Sequence, residues 1–271
     1  MSSLWLWVAL GFYSLGLAHA LLTVARRRQA WFRSALLAFG LGFIFHFVSL
    51  VEHGLARGRF PVTNIAEATS LFAFLITLGF LVVYWAYEMT SLSVFAFPIV
   101  FMMTLASALS QRPARPVPPL LEANWVPVHV SFALVGYAAL ILAFLAGLMY
   151  LIQERELKRH QPHAFYYRLP PLDTIDRLGL RALSIGFPFI TLGILIGAVG
   201  ASGAWGPDWI RDPKVALSFV LWLIYLLLVL SRVSAGWRGR KAAVLAILGM
   251  VMALVSWSAN YLSAHHAFLG H

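Results

Sequence analysis

Cysteine is missing altogether from this 271-residue chain, which excludes disulfides, thiolate metal sites and a CxxCH cofactor-attachment motif, and leaves any thiol chemistry to another protein. Charge is scarce: 11% of residues are Asp, Glu, Lys or Arg, less than half of the ~25% that keeps an ordinary globular surface wet. Acids are scarcest, ten against twenty Lys and Arg. The short alternating apolar and polar segments of a membrane barrel are also lacking. What is abundant is apolar, 61% of the chain, in runs long enough for helices that satisfy their own backbone inside lipid. The expected fold class is all-α, a polytopic integral membrane protein.

Runs of about 20 apolar residues fall near Leu4–Val24, Ser34–Val51, Ala66–Tyr87, Leu92–Leu109, Trp125–Ile152, Ala182–Ala201, Val215–Leu230 and Ala242–Leu262. They predict eight transmembrane helices in a single domain over residues 1–271. The first run is expected to stay in the membrane rather than act as a cleaved signal, because no Lys or Arg precedes it and Arg26, Arg27 and Arg28 follow it. With the N-terminus placed outside, the cytoplasmic loops hold fourteen Lys and Arg and the outer loops six. That asymmetry is the positive-inside pattern. The formal charge of +10 therefore reports orientation before it reports a ligand, and nucleic acid is not an expected partner. The lipid bilayer is, and the reading places the chain in the inner (plasma) membrane with both termini on the outer, periplasmic side. The span near Leu92–Leu109 is the least regular, since Pro98 interrupts it.

Two connections have character. The cytoplasmic segment Gln153–Gly179 turns through Pro170 and Pro171 into Leu172–Asp176, where acids follow a helix start and a short in-plane helix is expected. The outer segment Gln111–Asn124, with Pro113, Pro116, Pro118 and Pro119, reads as extended and turn-rich.

With little soluble mass, ionisable groups in the spans are the first functional candidates. His129 lies one turn into the fifth span from its outer end, and His265 and His266 close the eighth span at the same membrane face. Two imidazoles facing each other can supply both axial ligands of a haem iron, while tryptophan faces cover the macrocycle and cations meet its propionates. The outer loop 203–214 offers Trp205, Trp209, Arg211, Asp212 and Lys214, and Trp125 precedes His129 by one turn. The competing reading is ordinary: Trp and basic residues mark any membrane interface. His46, in mid-span, is expected to bond across to another helix. His19 and His53 are expected at the interface, and His160 and His163 in solvent. Glu67 opens the third span, where a carboxylate is costly unless paired; Arg59 is its predicted partner. Gly11, Gly16, Gly40, Gly42, Gly136 and Gly147 are read as close helix packing.

The ordered set of motifs is more specific than any one piece. Trp205-Gly206, Trp209 and Asp212-Pro213-Lys214 resemble the WGxxWxWDPKE signature of the CcsA/ResC family of cytochrome c assembly proteins. The likeness continues through Trp222-Leu223-Ile224-Tyr225 and Gly236-Trp237-Arg238-Gly239 to Asn260. Upstream, Gly58-Arg59-Phe60-Pro61-Val62-Thr63-Asn64 with Glu67 is similar to the family's GHFPLSNxYES, and Asn124-Trp125 with His129-Val130 to its NWxxxHV. The CcsA-like core covers about residues 34–271. The resemblance implies that His129 and one of His265 and His266, with His266 favoured, flank the tryptophan-rich loop and hold haem, of the b type and bound non-covalently or transiently, at the outer face. The chain departs from the family pattern at four places. Arg211 replaces the third Trp, Val215 the Glu and Arg59 the His, and Leu230 stands where full-length members carry an intramembrane His. The short chain and the weakened Trp motif, with Leu169–Leu178, are similar to the shorter HemX and YpjD-type branch.

Two functions follow from this reading. The first is a haem-handling assembly factor in cytochrome c biogenesis, with haem and a membrane protein of the assembly complex as partners. The second is a haem-free, HemX-like interaction protein that modulates a tetrapyrrole-pathway enzyme or respiratory complex assembly. A transporter would need paired charges in mid-membrane. No nucleophile–base pair or metal-activated water is offered, so the chain is not expected to be an enzyme.

Overall fold

The computed structural model describes residues 4–26, 30–110, 123–158, 169–261 and 263. Its long helices are α1 (Leu4–Arg26), α2 (Ala30–Arg57), α3 (Ile65–Tyr87), α4 (Ser93–Leu109), α5 (Trp125–Lys158), α6 (Leu172–Trp205), α7 (Pro213–Val233) and α8 (Arg240–Ser258). All eight are long and apolar enough to cross a membrane. Large apolar side chains such as Leu37, Trp85 and Val199 are exposed to more than 70%, a surface that suits lipid and not water. The chain is a multi-span, all-α membrane protein. Its contacts divide it into two compact units, with α1–α4 in the first and α5–α8 in the second.

In the first unit α1 and α2 run antiparallel and approach closely, because Gly42 leaves room for the ring of Tyr13, which a Cβ would meet at 2.6 Å. Phe39 of α2 stacks on Phe97 of α4, and Phe80 of α3 meets both rings edge-on. These are dense aromatic contacts of the kind that fix helix spacing where lipid offers no hydrophobic drive. The turn into α3 is set locally: Asn64 caps the helix by accepting from the Glu67 N–H at 2.9 Å. The Pro98-containing span is a helix, entered through a 3-10 turn at Thr90–Leu92.

In the second unit α5 and α6 pack antiparallel along a ladder of small residues. A Cβ on Gly136 would meet Ile190 at 2.8 Å, and one on Gly186 would meet Ala139 at 2.7 Å. Tyr225 of α7 donates to the Gly136 carbonyl at 3.3 Å, and Trp222 Nε1 donates to Thr191 Oγ1 at 2.9 Å. At one end of the unit, Arg232 of α7 forms a bidentate pair with Asp176 of α6 at 2.6 and 3.0 Å. Asp176 also accepts the Gly239 N–H at 2.9 Å.

Several expectations change. The separate in-plane helix is instead the first turns of α6, one continuous helix of 34 residues. At ~1.5 Å per residue it is ~51 Å long, well beyond the ~30 Å hydrocarbon core, so its first turns project past the membrane. Asp176, tied to Arg232 and Gly239, holds those turns along the unit's helices. α2 likewise runs six residues past Val51 to Arg57, and α5 past Ile152 to Lys158. Gly11 and Gly40, read as packing positions, have nothing within 4 Å of their Cβ positions. The stretch 111–122, His160 and His163 lie outside the described residues.

Candidate functional site

His129 projects from the second turn of α5 against α6. Its Nδ1 lies 2.7 Å from the backbone carbonyl of Gly193. A carbonyl only accepts, so Nδ1 carries the proton and Nε2 presents a lone pair. Among the described residues nothing hydrogen-bonds that Nε2. This is the arrangement of a metal-binding imidazole, in which one nitrogen is anchored to a backbone oxygen and the other is left for the metal. The ring of Trp125 stands beside it, with centroids 6.1 Å apart.

The Asp212-Pro213-Lys214 motif has a clear local logic. Asp212 is the N-cap of α7, accepting from the Lys214 N–H at 2.8 Å. Pro213 fills the first helical position, where no N–H is needed. The second Asp212 oxygen accepts from Ser263 Oγ at 2.5 Å, and Lys214 Nζ donates to the Ser256 carbonyl at 2.7 Å. Lys214 also stands over the ring of Trp257 at 5.9 Å. The motif therefore ties the start of α7 to the end of α8. Lys214 is within electrostatic reach of His129, and two of its three ammonium protons remain beyond the Ser256 bond.

The rest of the tryptophan-rich loop is a 3-10 helix, Gly206–Arg211, continuing directly from α6. Trp205 and Trp209 are half-buried, whereas Arg211 has an 82% exposed side chain paired with Asp208 at 2.9 Å. The structure thus brings His129, Trp125, Asp212 and Lys214 to one end of the second unit. His265 and His266 lie outside the described residues. Leu230 sits sixteen residues along α7 from Lys214, ~24 Å at helical rise, and is 48% exposed.

In the first unit Glu67 is buried and surrounded. Its carboxylate meets Arg57, Arg59 at 3.5 Å and His53 at 3.4 Å. It also accepts from the Thr63 N–H at 2.8 Å and the Thr63 hydroxyl at 3.0 Å. The predicted Arg59 contact is present, but Arg57 is closer. His53, expected at the interface, is buried at 5% exposure in this cluster. His46 has the bland role expected of it, with Nδ1 3.3 Å from the Tyr13 hydroxyl and Nε2 2.9 Å from Ser70 Oγ.

Sequence reasoning missed Gly193, Gly197 and Gly200, which seat His129 and Trp125. The signal was available as a GxxxG spacing in Gly193-Ile194-Leu195-Ile196-Gly197. It went unused because that spacing also marks ordinary helix packing.

Residues 36–264 match the model of the cytochrome C assembly protein family. Among curated relatives, the chain is 30% identical over 249 residues to the cytochrome c biogenesis protein CcsA of Pyropia yezoensis, covering 78% of this chain and 77% of that one. It is 29% identical to the CcsA protein of Microcystis aeruginosa, covering 75% and 76%, and 30% identical to that of a Synechococcus strain, covering 77% of each.

Proposed function

This chain belongs to the cytochrome C assembly protein family, and from that premise we propose that it is a haem-handling factor of cytochrome c biogenesis. The observation that carries the reading is the His129 imidazole, whose Nδ1 is committed to the Gly193 carbonyl while its Nε2 is left to ligate. The residues fit the group. When bound, haem would supply a redox-active iron that takes nitrogen ligands and a flat apolar ring carrying carboxylates. His129 would hold the iron through Nε2, with His265 or His266, which follow α8 in the sequence, as the second ligand. Trp125, Trp205 and Trp209 provide flat apolar surface, and Lys214 a cation in reach of His129. Arg211, exposed and paired with Asp208, contributes charge at the rim.

The reading sets the site at the outer, periplasmic face of the inner membrane, following the Lys and Arg asymmetry of the loops. The haem is of the b type, held non-covalently. This chain binds and orients; it has no cysteine to form a thioether. The apocytochrome supplies the thiols, and a membrane partner of the assembly complex presents it. Leu230 offers no ligand at the opposite end of α7, so haem handling is confined to one end of the second unit. The relatives named above give no support to the HemX-like alternative.

Absorption spectra of the detergent-purified protein, oxidised and reduced, test this. A six-coordinate haem spectrum is expected in wild type and is lost in His129→Ala and in the double variant His265→Ala/His266→Ala. A wild type that stays colourless after haem is supplied sinks the proposal.

A further inference from the structure

The imidazole of His129 reaches the Gly193 carbonyl only because α6 has been stripped at the right place. In an α-helix the carbonyl of residue i lies beneath the side chain of residue i+4, which here is Gly197. A Cβ on Gly197 would stand 2.5 Å from both Nδ1 and Cε1 of His129, closer than any real contact. It would occupy the space the ring uses to reach the carbonyl. One turn further, a Cβ on Gly200 would stand 2.3 Å from the Trp125 ring. Two consecutive gaps in α6 thus receive two consecutive aromatic groups of α5. The notch is a matched feature, because Gly203 on the same helix has nothing within 4 Å.

We propose that Gly197 is a positioning residue for the haem ligand: it opens the Gly193 carbonyl to His129, fixing the Nδ1–H tautomer and the plane of the ring. This rests on the haem-handling reading above and adds how the site tunes it. An Nδ1–H bonded to a carbonyl makes Nε2 a stronger donor, which favours ferric over ferrous iron and holds the ring in one orientation. The chain would therefore set the poise of its haem from the backbone of a neighbouring helix.

The test compares full-length wild type, Gly197→Ala and Gly203→Ala. Histidine labelled with 15N reports the tautomer of residue 129 by NMR in haem-free protein. Potentiometric titration of the haem-loaded protein reports its midpoint. Expected are an Nδ1–H tautomer in wild type and Gly203→Ala, and loss of that tautomer in Gly197→Ala with several-fold lower haem occupancy and a raised midpoint. Circular dichroism should show unchanged helix content. If Gly197→Ala does not fold, the wild-type tautomer decides alone: Nε2–H overturns the proposal and Nδ1–H upholds it. A folded Gly197→Ala protein with wild-type tautomer, occupancy and midpoint also overturns it. A wild type that binds no haem sinks the earlier reading instead, and the tautomer measurement still stands.

Discussion

Glu67 shows how far a single residue can be read from sequence. A carboxylate at the mouth of a span demands a partner, and Arg59, eight residues earlier, was the partner expected. What sequence did not reveal is that α2 continues to Arg57, which brings a second guanidinium and His53 to the same carboxylate. Helix length past the hydrocarbon edge is set by packing, not by hydropathy. Glu67→Gln keeps the shape but leaves two arginines without their counter-charge. Breaking a fully buried pair costs about 3–5 kcal/mol; with Arg57 and Arg59 partly exposed, about 2–3 kcal/mol is expected, read as a lower thermal midpoint in detergent. Haem binding should survive wherever the protein remains folded, because the second unit holds the proposed ligands. An unchanged midpoint would show the cluster to be energetically idle.

At the scale of elements, α6 is organised by what leans on it. Its glycines admit α5, and Asp176 in its second turn is clamped by Arg232 of α7, 3% exposed, and by the Gly239 N–H. Neither partner was identifiable from sequence, since Asp176 and Arg232 are 56 positions apart and each looks like an ordinary cytoplasmic loop charge. Removing one partner strands the other, so Asp176→Leu and Arg232→Met are each expected to destabilise by about 3–5 kcal/mol. The double replacement should recover much of that loss, because apolar pairs often substitute for buried ion pairs. Additive single effects in a double-mutant cycle would refute the pairing. Across the α5–α6 contact, Gly136→Val on α5 pushes a side chain into Ile190 of α6 and should cost about 1–3 kcal/mol by overpacking, measured as a lower unfolding midpoint.

At the scale of the whole molecule, orientation is testable because the chain has no cysteine of its own. Gly203→Cys and Ala235→Cys, both at exposed positions, lie at opposite ends of α7. An impermeant maleimide added to intact cells should label the first and not the second, with Ala235→Cys reacting only after the membrane is opened. The reverse pattern would invert the topology and place the His129 end in the cytoplasm. Eight spans, their approximate limits, the all-α class and the family motifs were determined by the sequence alone, because hydropathy over ~20 residues is dictated by lipid thickness and motifs are linear. The tertiary structure alone decided that α6 is continuous, that Arg57 joins Arg59 on Glu67, and that the Gly193 carbonyl commits His129 to one tautomer. Each of these depends on which side chains meet across helices, and in a membrane that is settled by close packing between small residues rather than by any pattern along one chain.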